Sequence, residues 1–182
     1  MSLARSFLAA AASVLVASPL AAAPAPAHSP HSETAGGVQW TVPARWSAGA
    51  GSSMRVATYA IPAAKGSEPG ECAVFFFGPG QGGTLDANVE RWGRQFEGTP
   101  KPAQTATTVA SLRVTRASVA GTYLAPGGPM MQSTGTRPGY RLLGAIVEGP
   151  EGNVFFKLTG PAATVAAAAP DFEALIASLR KK

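Results

Sequence analysis

Cys72-Ala73-Val74-Phe75-Phe76-Phe77 carries no polar side chain and lies between glycines. In a strand, successive side chains point to opposite sides, so a wholly apolar run has two faces to hide. The run is far too short to cross a bilayer as a helix, a task needing about 20 residues. It therefore predicts a central strand, and with it a layered fold whose sheet is covered on both faces.

The chain contains candidates for both covers. Leu85, Val89, Trp92 and Phe96 make one stripe at helical spacing, with Glu90, Arg94 and Glu97 on the opposite face. Thr84 is placed to cap this helix, Asp86 falls in its favourable first turn, and Gly98 and Pro100 end it. Phe172, Leu175, Ile176 and Leu179 make a second stripe near the C-terminus. There Pro170 suits a first helical turn, Asp171 and Glu173 suit the positive end, and Arg180, Lys181 and Lys182 suit the negative end. Residues 161–169 read as a shorter helix leading into it.

Strand patterns fill the rest. Val38–Val42 alternates until Pro43, and Met54–Ile61 is a second, less regular strand. Residues 106–109 and 112–119 are β-branched and alternating, with Gly121 marking a bend or bulge. Residues 125–139 hold so many glycines and prolines that they read as the longest loop. Tyr140–Val147 and Asn153–Leu158, joined by Glu148-Gly149-Pro150-Glu151-Gly152, form an antiparallel hairpin. The order is strands, helix, strands, helix. The expected class is α+β, a central antiparallel sheet with helices packed on its faces, and a regular βαβ arrangement is excluded.

Ahead of this unit, Met1–Arg5 is short and positive, and residues 6–18 form an apolar run of about 13 residues, too short to span a bilayer. Small residues and prolines follow. The pattern is that of a secretory signal peptide over residues 1–27, cut after Ala25-Pro26-Ala27. Ala21-Ala22-Ala23 is a second site, disfavoured because Pro24 would follow the cut. Residues 28–37 then read as a flexible lead, and residues 38–182 as a single globular domain in the periplasm or outside the cell. The remaining chain of about 155 residues suffices for one core.

The chain has 15 basic and 10 acidic residues, a surplus of +5, three of those cations being the last three residues. No basic stripe runs along a helix, so nucleic acid is not expected as a partner. The single cysteine, Cys72, excludes an internal disulfide, and its place in the apolar run marks a buried thiol.

Trp40-Thr41-Val42-Pro43-Ala44-Arg45-Trp46 resembles the strand, Val-Pro, x-x-Trp opening of the PsbP-like superfamily. Phe155-Phe156-Lys157-Leu158-Thr159-Gly160 and Phe172-Glu173-Ala174-Leu175-Ile176-Ala177-Ser178-Leu179 are similar to its closing features. The resemblance spans residues 38–179, with residues 78–96 departing from the plant protein. It implies an α/β/α sandwich. It implies no catalytic set, and no binding residue carries across.

Residues 78–83 match G-x-G-x-x-G between an apolar strand and a helix. The acid expected at the end of the next strand is missing, since Glu97 sits at the helix end, and Pro79 has no N–H to offer a phosphate. A tight strand-to-helix connection is the simpler reading, and no cofactor is expected. His28 and His31 are the only histidines and both precede Val38, so neither a structured metal site nor a histidine-based triad is expected. Carboxylates are numerous enough for a pair among Asp86, Glu90, Glu97, Glu148, Glu151, Asp171 and Glu173, but these read as helix surface, caps and turns.

Two features suit a binding surface. Asn88, Arg91 and Gln95 lie on one side of the first helix, flanking Trp92, either facing a cleft or bordering the core. Met130 and Met131, in the long loop, either offer an adaptable apolar contact or pack inward. The leading expectation is a non-enzymatic binding or accessory domain for an unknown protein or small ligand. An envelope structural or assembly protein and a histidine-free carboxylate enzyme are the alternatives.

Overall fold

The computed structural model describes residues 29–127 and 132–182. The predicted signal peptide, Met130 and Met131 lie outside them. In chain order the elements are β1 (His31–Ala35), β2 (Val38–Val42), β3 (Ser47–Ala48), β4 (Ala57–Ile61), β5 (Gly70–Phe76) and α1 (Leu85–Gly93). They continue with β6 (Ala103–Val109), β7 (Leu112–Gly127), β8 (Gln132–Gly149), β9 (Gly152–Pro161), α2 (Ala162–Ala177) and β10 (Arg180–Lys181).

Seven strands form one antiparallel sheet in the order β3-β4-β5-β9-β8-β7-β6, and β1-β2-β10 form a smaller one. The apolar run of β5 is central, between β4 and β9. Its alternation serves two cores. Cys72 and Val74 join Phe156 and Leu158 of β9 beneath Val165, Phe172, Leu175 and Ile176 of α2 and Val38, Trp40 and Val42 of β2. On the other face Phe155, Leu142, Ile146, Ala117 and Val119 pack under Val89 and Trp92 of α1 and Phe96 beyond it. The architecture is the expected α+β one, with a helix on each face.

Several expectations are corrected. The lead is not a bare tail: residues 31–35 pair with β2, from His31 opposite Val42 to Ala35 opposite Val38. The connection is Gly36-Gly37, both left-handed at φ of 59° and 71°, the conformation a two-residue hairpin requires. A buried chain of hydrogen bonds then anchors β1: Trp40 Nε1 donates to the Tyr59 hydroxyl (2.9 Å), which donates to Glu33 Oε2 (2.6 Å). β1 is polar and mostly exposed, with no apolar alternation to mark it, so the sequence pattern alone starts the folded unit at Val38.

α2 starts at Ala162 with Pro161 at its cap position, so Pro170 lies inside the helix and not in its first turn. Alanine-rich residues 162–169 have the highest helix propensity, and burial of Thr164, Val165 and Ala168 holds that half down. One helix thus replaces the predicted pair, with the Ala166 carbonyl deprived of its donor at Pro170.

α1 stops at Gly93, short of Phe96. Residues 95–97 leave the helix to run along β7: Leu124 N donates to Gln95 O (2.8 Å) and Glu97 N to Thr122 O (2.9 Å). Phe96 stays buried by this route, so a stripe at helical spacing survives without a helix beneath its last member.

The long loop expected at residues 125–139 is mostly strand. β7 and β8 continue their ladder out to Gly127 opposite Gln132. Glycines and prolines there sit in an extended two-stranded arm at register irregularities, where such residues are tolerated.

Candidate functional site

The sheet face beneath α1 is covered along only part of its width. A Cβ on Gly144 would overlap the Trp92 ring, so the indole lies directly on the β8 backbone. One strand over, opposite Gly144, stands Lys157 of β9, and opposite Lys157 on the far side stands Ala73 of β5. The cover gives way here to a cleft of about 470 Å³. Ala73 leaves room in it, the backbone at Gly70 and Gly160 borders it, Phe75, Tyr123 and Tyr140 supply rings, and Arg55, Glu71, Arg137 and Lys157 supply charge.

Strand parity explains how these side chains meet. In β9, Phe155, Lys157 and Thr159 share the α1-side face, while Val154, Phe156 and Leu158 fill the opposite core. β8 uses a bulge. Gly121 pairs with Tyr140 and Tyr123 with Arg137, so β8 takes three residues where β7 takes two. The extra residue lies at Pro138-Gly139, with Gly139 at φ 70°. Without it Arg137 and Tyr140, an odd number of positions apart, would face opposite sides. With it both face Tyr123.

The Tyr123 and Tyr140 rings are stacked, 5.8 Å between centroids and 7° from parallel. Lys157 Nζ donates to the Tyr123 hydroxyl at 3.4 Å and lies 5.7 Å from that ring's centre. Each arginine is engaged with an acid. Arg55 meets Glu71 at 2.8 Å, and Arg137 meets Glu68 at 3.3 Å while donating to the Tyr140 hydroxyl at 3.1 Å. Tyr140 in turn donates to Glu68 Oε2 at 3.0 Å. Lys157 has no carboxylate in contact among the described residues. Desolvation, reinforced by nearby Arg55 and opposed by Glu71, pushes its ammonium down to about 8. Burial, with Glu71 adding to it, pushes the Tyr123 phenol up to about 12, so its hydroxyl keeps its proton at neutral pH.

Of the residues expected on the first helix, Asn88 and Trp92 are buried, Arg91 is exposed, and Gln95 lies past the helix end. Asn88 is buried and its amide is committed: Nδ2 donates to the carbonyls of Gly82 (2.7 Å) and Thr84 (2.8 Å), while Oδ1 accepts from Arg91 (2.9 Å). Trp92 is part of the core. Gln95 keeps Oε1 buried without a hydrogen-bond partner. The G-x-G-x-x-G loop folds against the same end. Gly78, Gly80, Gly82 and Gly83 all have positive φ, and a Cβ on Gly82 would fall 2.9 Å from the Phe77 ring. Thr84 caps α1 by accepting from Ala87 N at 3.2 Å.

Of the carboxylates considered as a pair, Glu90, Glu148, Asp171 and Glu173 each lie against an arginine at the surface. Among the described residues no group of three or more His, Cys, Asp or Glu is placed to hold a metal ion. No helix among them is long and apolar enough to cross a membrane.

Sequence reasoning missed the cleft, although one signal was present. Lys157 interrupts the otherwise apolar 154–158 run of a strand paired on both sides, where an unpaired lysine is rarely tolerated without purpose. Arg55, Tyr123, Arg137 and Tyr140 carry no such mark, because sheet order and the bulge bring them together.

No protein-family model matches the chain, and no curated protein matches it. Among solved structures it is similar to a Pseudomonas aeruginosa protein of unknown function described as a candidate regulator. The identity is 13%, the TM-score 0.51, and the match covers 85% of this chain and 98% of that one. It is also similar to cyanobacterial PsbP from Synechocystis, at 12% identity and a TM-score of 0.46, over 91% of this chain and 98% of that one. At such identities the likeness is one of fold.

Proposed function

We propose that the protein is an exported, non-enzymatic binding domain that holds a small ligand in the cleft between β5, β9 and the β7–β8 arm. The observation that carries this reading is Lys157, a half-buried ammonium at the floor of a concave site, with a tyrosine hydroxyl for company and no counter-ion in contact. A buried charge is costly unless something pairs it, and a ligand is the natural partner for one left facing an opening. The cleft volume lies within the range of about 300–1,000 Å³ usual for small-molecule sites.

A binding role is favoured over a carboxylate enzyme by the state of the acids. Glu71 and Glu68 each face an arginine and not one another, so they form no shared-proton pair. Asn88, Arg91, Trp92 and Gln95 enter this reading as the support that fixes α1 beside the cleft. Export rests on the charged start, short apolar run and small-residue cut site of residues 1–27.

The test is a titration of ¹⁵N-labelled protein with a chemically mixed set of cationic, neutral and anionic fragments. The expected result is saturable shifts at the amides of Ala73, Phe75, Tyr123 and Lys157. Fragments that perturb only other regions, or none, would overturn the reading. N-terminal sequencing of the expressed protein checks export: a mature start at His28 is expected, and intact Met1 in the cytosol would contradict it.

A further inference from the structure

We infer that the cleft selects a planar aromatic carboxylate, its acid group on Lys157 and its ring against the aromatic wall of Phe75, Tyr123 and Tyr140. The inference rests on the binding reading above and adds the ligand's chemistry.

The charge of the ligand follows from the inventory of the site. The groups facing Lys157 are Arg55 before β4, Glu71 on β5, Tyr123 on β7, and Arg137 and Tyr140 on β8. Both guanidinium groups already hold acids, at 2.8 Å and 3.3 Å. Lys157 is thus the cation of the cleft whose charge is unmatched by contact, so one negative charge completes the site. A phosphoryl group calls for more: it is usually held by free arginine forks or a nest of backbone N–H groups. Here the forks are taken, and the floor is paired strand whose N–H groups are spent in ladders between β5, β9 and β8. A single carboxylate suits one ammonium and the adjacent Tyr123 hydroxyl.

The body of the ligand follows from the walls. Stacked Tyr123 and Tyr140 present π-surface bordered by the cations Lys157 and Arg137, and Phe75 lies across the cleft with Arg55 5.8 Å from its ring centre. Flat rings pack on such surfaces better than flexible aliphatic chains, by offset or edge contacts. Ala73, the small residue between Glu71 and Phe75 on this face of β5, leaves the depth that a ring needs.

Benzoate is the probe, with benzamide as its neutral isostere and acetate as the acid without a ring, each titrated into the folded exported protein and followed by ¹⁵N–¹H shifts. Benzoate is expected to bind at the Ala73, Phe75, Tyr123 and Lys157 amides at least about tenfold more tightly than benzamide or acetate. Lys157→Gln is expected to weaken benzoate by about tenfold or more and benzamide far less. Lys157→Met and Tyr140→Leu, each checked by thermal melting, keep the test decisive if Lys157→Gln folds poorly. Because binding an anion restores the charged lysine, benzoate affinity is expected to fall as pH rises above about 8. Equal binding of benzamide, or benzoate binding that Lys157→Gln and Lys157→Met leave intact, would overturn the assignment. If other fragments shift the cleft amides and benzoate does not, the ligand class fails and the binding reading stands. If no fragment shifts them, both fail.

Discussion

The two faces of the large sheet are built from the same strands and treated differently. Beneath α2 the centre of the face is a closed, largely apolar core, covered by one long helix and a three-stranded sheet. Beneath α1 the helix has only nine residues, Trp92 presses on Gly144, and one strand further the face opens on Lys157. Cys72 and Ala73 are neighbours in β5, yet Cys72 lies wholly in the sealed core while Ala73 lines the cleft. The short cover is what converts a structural face into a surface able to receive something else.

That contrast can be broken most sharply by chemistry on adjacent positions. Burial pushes the Cys72 thiol up, so a thiol reagent should modify the native protein at least about a thousandfold more slowly than the denatured one. An amine reagent should reach Lys157 in the native state. Rapid Cys72 labelling would mean that the α2 face is not sealed. Next in size, Phe172→Ala on the sealed face should cost about 3–5 kcal/mol in denaturant unfolding, and a loss below about 1 kcal/mol would show that α2 docks loosely. Gly144→Ala should cost about 1–3 kcal/mol, because the added methyl must displace Trp92. The same experiment asks whether α1 holds its end of the cleft.

The smallest effect has the opposite sign. Lys157→Met removes a desolvated charge and should raise Tm at pH 7 by roughly 2–4 °C. The sign follows from linkage. The folded-state value of about 8 lies below the ordinary 10.5, so wild type carries the full penalty below pH 8 and sheds it between there and 10.5. The advantage of the variant should fade over that window. A variant that melts lower than wild type at pH 7 would place Lys157 among residues the fold needs.

Much of the fold was legible because it rests on local periodicity. Val38–Val42, the apolar β5 run, the β8–β9 hairpin and the α1 stripe each bury side chains at a spacing the chain displays directly. The misses have physical reasons. β1 is a polar strand held by Glu33 and a Gly-Gly turn. Pro170 resembles a first-turn proline in the sequence, while burial of Thr164 and Val165 carries α2 through it. The 125–139 segment looked irregular because glycine and proline mark bulges as well as loops. Around α1, the spacing of Asn88, Arg91 and Gln95 beside Trp92 fits a cleft or a core border equally, because a helix pattern does not say how far its cover extends.

By itself the amino-acid sequence determined the layers: a two-faced apolar strand demands cover on both sides, and alternation with two helical stripes supplies it. Only the tertiary structure decided where that cover ends. Cross-strand pairing set Lys157 between Ala73 and Gly144, and a one-residue bulge turned Arg137 to the side of Tyr123 and Tyr140. Both depend on register between segments distant in the chain, which no local pattern encodes.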